Sequence, residues 1–488
     1  MKRKIIVLMI VMAVAGTVNA ATQQQIQQAI DDGLAYLANP INYSSDPDEI
    51  WYPYTSDGTL AATASSALAF IEEGYLPNDG SVYGAQVAKM CNYIFNRAKA
   101  DPLFGIEDPG QAYSGPGDTQ YERYAEDYNN DGVFGNDGGN NQAIYFDPSN
   151  SNRDIYTNGI VAPVIKALGD ALGENTVVGM GSATVSGMTY KEVMRDLVDW
   201  FAYGQVEPDM GNQRGGWRYT PNYSSSDNST AQWGALPMLY ANSWGLPVPD
   251  YVANELELWT DHIQNPLSPG IDWMDGGSGY TNNTEYVNMS KTGGMLLQFA
   301  VEGKALGDPD VQAALYFMDS MEQFDHWNQG ATTAYSGWYG GNLGNPYAMW
   351  AVYKGLATYG GLVWNDNGTP LDPTDDFLVG NPNLISTAPG GITIGQDWGP
   401  GTTQTSLAGD WYSQYCDFLL NDPTYGQNAN GSWNGYVYWT GALATGWYIN
   451  ILNATGAPEP IIPVPAAVLL GGIGLAVSSW RLRRRKEL

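Results

Sequence analysis

The feature that most limits how this chain can fold is an internal repeat. Five segments share one grammar: a turn rich in Gly, Asn and Ser, a Gly-Trp or Gly-Tyr step, a polar stretch, then a helix of small residues. Gly215-Gly216-Trp217-Arg218-Tyr219 leads into Ser229-Thr230-Ala231-Gln232-Trp233-Gly234-Ala235-Leu236. Gly277-Ser278-Gly279-Tyr280 leads into Met289-Ser290-Lys291-Thr292-Gly293-Gly294. Gly337-Trp338-Tyr339-Gly340-Gly341 precedes Tyr347-Ala348-Met349-Trp350-Ala351, and Gly431-Ser432-Trp433 precedes Trp439-Thr440-Gly441-Ala442-Leu443-Ala444. Asp57-Gly58-Thr59, the earliest, leads into Ala61-Ala62-Thr63-Ala64-Ser65-Ser66-Ala67-Leu68, and a degenerate sixth unit sits at Tyr156-Thr157-Asn158-Gly159-Ile160.

Ahead of several turns, apolar residues recur at helical spacing, in residues 193–203, 252–263, 311–327 and 411–420. The unit is therefore a first helix, a glycine turn and a second helix, and the expected fold class is all-α. Units are spaced roughly fifty to ninety residues apart, so the longer ones carry loop insertions. Asn/Gly/Asp-rich stretches near 105–155 and 364–408 fit that role. Small residues on the second helix permit close packing, and two-helix units that cannot bury a face alone close into a ring or stack into a solenoid. The Asp261-His262 and Asp325-His326 pairs fall near the end of the first helix, where the dipole favours an imidazole, and read as structural.

The ends differ from this body. Lys2-Arg3-Lys4, a short apolar run and Gly16-Thr17-Val18-Asn19-Ala20 have the layout of a secretory signal cleaved after Ala20, too short to favour a membrane span. At the far end, Ala457-Pro458-Glu459-Pro460 and Val464-Pro465-Ala466 precede an apolar stretch and Arg481-Leu482-Arg483-Arg484-Arg485-Lys486. Its length is marginal for a span, and the cations behind it would hold that end in the cytoplasm. The expected division is 1–20 signal, 21–456 body and 457–488 tail with a short transmembrane helix.

The tail, through Pro458, Glu459, Pro460, Val464, Pro465 and Ala466, resembles the PEP-CTERM class of sorting signals and its VPLPA-type relatives. That resemblance implies export, an exosortase that recognises the tail, brief anchoring in the inner membrane, and release at the surface of a Gram-negative, exopolysaccharide-making cell. A plain C-terminal anchor is the other reading. The body, through residues 215–233 and again through Gly431-Ser432-Trp433 with Thr440-Gly441-Ala442-Leu443, resembles the squalene cyclase and prenyltransferase superfamily. The implied architecture is an α/α toroid of about six helical hairpins.

The resemblance does not bring that superfamily's chemistry. No Asp-x-Asp-Asp motif is present; the nearest strings are Asp46-Pro47-Asp48-Glu49 and Asp372-Pro373-Thr374-Asp375-Asp376. With 2 Cys and 2 His, none at matching positions, a prenyltransferase zinc site is not expected. Cys91 lies in Met90-Cys91-Asn92, not in a thioester motif, and whether Cys91 and Cys416 pair is open. Calcium has one candidate loop. Asp127-Tyr128-Asn129-Asn130-Asp131-Gly132-Val133 offers oxygens from Asp127, Asn129, Asp131 and the Val133 carbonyl, but Gly138 stands where a closing Glu belongs unless Asp137 or Asp147 substitutes. An Asx-rich solvated turn is the alternative.

Charge narrows the partners. The formal charge is -30; loss of Lys2, Arg3 and Lys4 makes it -33, and loss of the five cations and one Glu after Pro460 makes it -37. Such a chain repels nucleic acid and anionic lipid. Tyr (33) and Trp (17) far exceed Phe (11), which suits a wet groove or sugar platform more than a dry core.

Two functional readings follow. In one, the toroid is a glycan-binding or structural module at the cell surface, its mouth presenting Trp217, Tyr219, Tyr280, Trp338, Tyr339 and Trp433, unless these only plug helix ends. In the other it is a polysaccharide lyase or glycosidase. Asp227, Asp272, Asp275 and Glu285 lie near the mouth, but nothing pairs them as hydrolysis requires. Asp227 also reads as a helix N-cap. A lyase would draw on Tyr or Arg218 instead.

Overall fold

The computed structural model describes residues 21–39, 56–102, 142–148, 153–246, 248–267, 274–323, 342–365, 377–385, 410–436, 439, 441–456 and 461. The all-α expectation holds for these residues. Strands are confined to two short antiparallel pairs: β1 (Ala98–Pro102) with β2 (Gln142–Phe146), and β3 (Leu362–Asn365) with β4 (Phe377–Gly380). The sequence reading did not foresee them. The first pair brings residues 102 and 142 together across the first insertion, and the second pair closes the stretch 366–376 at the start of the second insertion. Asn158 reinforces the first pair: its Oδ1 accepts from Phe146 N (2.6 Å) and its Nδ2 donates to Phe146 O (3.2 Å).

The helices fall into two classes. Six are buried nearly all round: α2 (Ser56–Glu72), α4 (Asp154–Leu172), α6 (Asn228–Ser243), α8 (Met289–Val301), α10 (Pro346–Thr358) and α12 (Gly441–Leu452). These carry the small-residue runs of the repeat. The others are α1 (Gln23–Leu37), α3 (Gly84–Asn96), α5 (Tyr190–Tyr203), α7 (Asp250–Ile263), α9 (Pro309–Gln323) and α11 (Trp411–Asn421). They show the one-sided pattern of surface helices, as α1 does with Ile26, Ala29, Ile30, Gly33, Leu34 and Leu37 buried. Packing among the buried six runs α2 on α4, α4 on α6, α6 on α8, α8 on α10, α10 on α12, and α12 back on α2. The other six flank them: α3 on α2, α5 on α4 and α6, α7 and α9 on α8, α11 and α1 on α12.

Small residues set the spacing of the buried helices. A Cβ at Gly355 of α10 would stand 2.5 Å from Gly293 O of α8, closer than real side chains approach. On α12, Asn450 Nδ2 donates to Ser65 O of α2 (3.2 Å), satisfying a buried amide while joining the last helix to an early one.

The turn glycines have a related role. Gly431 holds φ +86, a left-handed backbone that L side chains avoid, and a Cβ there would lie 2.1 Å from Asp32 O of α1. Gly215 does the same against Glu255 O of α7 (1.9 Å). Each turn thus lodges on the flanking helix that follows it, and the turn after α11 lodges on α1.

Two expectations need correction here. Asp57-Gly58-Thr59 is not a turn, because α2 begins at Ser56 and takes it into its first turn. Much of the aromatic excess among the described residues lies in a dry core: Trp200, Trp217, Trp259, Trp411, Trp433 and Trp447 are fully buried. Several satisfy their indole N–H on backbone carbonyls, as Trp411 does on Gly361 O (3.1 Å). Of the helix expected over 311–327, residues up to Gln323 lie in α9 and the rest fall outside the described residues.

Candidate functional site

At the N-terminal ends of α4, α6 and α10 the chain builds a hydrogen-bonded floor. Asp227 is the N-cap of α6 and is fully buried. Its Oδ1 accepts from Thr230 N (2.9 Å), Thr230 Oγ1 (3.0 Å) and Ser229 Oγ (2.6 Å). Its Oδ2 accepts from Tyr280 OH (3.3 Å) and stands 3.4 Å from Arg218 Nε. Because the Ser229 proton goes to the carboxylate, Tyr156 OH of α4 donates to Ser229 Oγ (2.5 Å). Tyr347 of α10 accepts from Gln232 Nε2 and donates to Ser229 O. Burial holds the Tyr156 and Tyr347 hydroxyls well above the usual phenol range, so both remain protonated donors.

Beneath these bonds lies an aromatic stack from four helices and one loop. Tyr347 stacks on Trp439 (5.1 Å between centroids), Trp447 of α12 stacks on Trp233 of α6 (5.9 Å), and Tyr156 approaches both Trp233 and Trp439 (6.4 Å each).

Above the floor, cations meet tyrosines. Arg218 Cζ sits 5.3 Å from the Tyr219 ring centre and 5.5 Å from that of Tyr223, with Nη1 donating to Ser225 Oγ (2.9 Å). Tyr219 and Tyr280 are half-buried, while Tyr223 is 38% and Tyr286 64% exposed. Lys291, in the first turn of α8, places Nζ 5.6 Å from the Tyr280 ring centre. It is only 9% exposed, and its ammonium makes no hydrogen bond among the described residues. Burial pushes this amine down to about 8, against the opposing pull of Asp227 and Glu285. Burial and the neighbouring Asp227 together push the Tyr280 hydroxyl up.

The sequence candidates therefore separate. Tyr219, Asp227 and Tyr280 come together, with Arg218. Trp217 and Trp433 do not face a ligand: they are 0% and 1% exposed. Their indoles donate to the last turns of flanking helices, Trp217 Nε1 to Phe201 O (2.8 Å) and Trp433 Nε1 to Leu419 O (2.7 Å). They are plugs at helix ends. Asp275 is buried, and Glu285 accepts from the Thr281 hydroxyl. His262 lies in the last turn of α7 with Nε2 3.1 Å from Thr281 O, as a structural histidine would. Cys91 in α3 and Cys416 in α11 are buried free thiols, pushed up to about 12 by burial.

Trp338, Tyr339, Asp272, the calcium candidates Asp127, Asn129, Asp131 and Val133, Ala20 and the sorting residues Pro458 to Ala466 other than Ile461 lie outside the described residues. Among the described residues no cluster of three or more His, Cys, Asp or Glu could hold a metal, and no helix is long and apolar enough to cross a membrane.

Sequence reasoning missed Lys291, Tyr156 and Tyr347. A signal for the first was present: a lysine at the start of a small-residue helix opposes the helix dipole. The chemistry the cluster offers is cationic and aromatic. Asp227 accepts three hydrogen bonds on one oxygen and faces two further donor groups on the other, so little lone-pair capacity is left for a substrate oxygen. Compared with family models, curated proteins and solved structures, the chain matches none.

Proposed function

We propose that this chain is an exported cell-surface protein whose body is an α/α toroid of about six hairpins that binds extracellular glycan at one mouth. The toroid reading is supported by the cyclic packing of α2, α4, α6, α8, α10 and α12 and by the turn of Gly431 against α1. Export, exosortase sorting and passage through the inner membrane rest on the two terminal segments.

The observation that carries the glycan reading is the patch of Arg218, Tyr219, Tyr280 and Lys291 over a polar, hydrogen-bonded floor. Tyrosine faces accept the C–H side of a sugar, and donors around them fix its hydroxyls. The position of the patch fits a surface role. It lies at the N-terminal ends of the buried helices, whereas the chain leaves the body near their C-terminal ends. There, Tyr353 OH donates to Thr455 O (2.7 Å), Lys354 Nζ to Gly456 O (2.8 Å) and Ile461 N to Ala300 O (2.9 Å). A tail held at a membrane would point the patch outward.

A second reading, a polysaccharide lyase on the same toroid, is favoured by one feature: the Lys291 amine at about 8, with Nζ 5.6 Å from the Tyr280 ring centre, has the character of a general base. Glycosidase chemistry is less well supported, because Asp227 is occupied by its own cap. The test is to incubate the purified full chain with polysaccharides and score retention together with new reducing or unsaturated ends. Retention without new ends is expected. Unsaturated ends would move the assignment to the lyase, and no retention by any polysaccharide would refute the glycan reading.

A further inference from the structure

We propose, building on the glycan reading, that the ligand is a carboxylated polysaccharide whose uronate group is held by Lys291 and Arg218 while the sugar face lies on Tyr280.

The chain carries a formal charge of -30, yet this patch collects cations. Arg218 stands 3.4 Å from Asp227, Lys291 Nζ lies 5.6 Å from the Tyr280 ring centre, each cation feels the charge of the other's neighbour, and Arg153 lies 5.7 Å from the centre of the adjoining Tyr219 ring. Asp227 already pairs with Arg218 at 3.4 Å and is otherwise taken up by its own cap and by Tyr280, so Lys291 is the cation left without a contact ion partner among the described residues. Lys291 is nine-tenths buried with no hydrogen-bond partner among the described residues. A largely buried ammonium with no protein hydrogen bond is poorly solvated, and the first turn of a helix, where the dipole is positive, adds to the cost. Both penalties fall when an anion arrives, and the positive dipole end of α8, although capped by Asn288, favours the same charge. A neutral sugar could stack on Tyr280 but would leave Lys291 unpaired. A carboxylate forms charge-assisted bonds with both cations, so charge, more than ring shape, sets the preference. The groups that set the Lys291 charge state are Asp227 at the start of α6, Glu285 in the preceding loop, and the Tyr280 ring beneath it.

The test compares several uronate polysaccharides, polygalacturonate and alginate among them, with their methyl-esterified uncharged forms, using the full chain and calorimetry. The acid forms should bind about tenfold tighter or better, equivalent to about 1.4 kcal/mol. Lys291→Gln should lower them to the level of the esters, and Lys291→Arg should restore much of the difference, which a merely misfolded variant would not allow. Binding should also weaken as pH rises through about 8, because the ammonium is lost. Equal binding of acid and ester forms by the native chain would overturn the uronate assignment and leave the glycan reading standing. Failure of both forms, with failure of neutral glucans and mannans, would overturn both.

Discussion

A single methyl group at Gly431 should disturb the fold more than its size suggests. The backbone there is left-handed (φ +86), which costs an L-residue about 1–2 kcal/mol. The new Cβ would also stand 2.1 Å from Asp32 O, against 3.4 Å or more for ordinary contact. The obstacle is backbone, so the turn and α1 must separate by more than an ångström, an overpacking cost of about 2 kcal/mol. Alanine stiffens the unfolded chain and returns roughly 0.5–1 kcal/mol, leaving a net loss of about 2.5 kcal/mol. Gly245→Ala is the control. Its φ is +72, but nothing lies within 4 Å of the added Cβ, so only the backbone strain remains. For a body of roughly 430 residues the unfolding entropy is about 0.9 kcal/mol/K, which converts these losses to about 3 °C and under about 1 °C. Thermal unfolding followed by circular dichroism measures both. Equal shifts for the two variants would refute the claim that this turn is wedged against the first helix.

Trp433→Phe should cost about 1–2 kcal/mol, since it strands the Leu419 carbonyl and trims a packed ring, while glycan retention stays at the native level; lost retention at native stability would return Trp433 to the binding site. Cys91 and Cys416 should resist iodoacetamide at pH 8, because burial keeps both protonated with acidities near 12, and should react as two thiols once urea unfolds the chain. Prompt labelling of the native protein, or fewer than two thiols after unfolding, would contradict their assignment as buried and free.

Much of the fold was legible because its logic is local and repeated. Glycine turns followed by Ala231-Gln232-Trp233-Gly234 or Gly441-Ala442-Leu443-Ala444 announce a helix that must pack closely, and those helices are buried on all sides. The degenerate unit at Gly159 was readable for the same reason: a Cβ there would meet the Trp233 backbone at 2.5 Å. What could not be read is the destination of each aromatic. Trp217 and Tyr219 are two residues apart in one turn, yet one is buried on Phe201 O and the other lies half-open beside Arg218. Only the position of α5 separates them. Tyr347 was hidden more deeply, because its partners Gln232 and Ser229 come from a helix more than a hundred residues earlier. The two short strand pairs carry no alternating pattern long enough to signal a sheet; β1 reads Ala98-Lys99-Ala100-Asp101-Pro102.

Where a sugar sits on this chain decides the glycan reading, and a crystal structure of the chain bound to a uronate oligosaccharide measures that directly. The expected result is a sugar ring over Tyr280 with its carboxylate in contact with Lys291 Nζ and Arg218. A sugar bound on another face, with the Tyr280 and Lys291 side chains untouched, would contradict it.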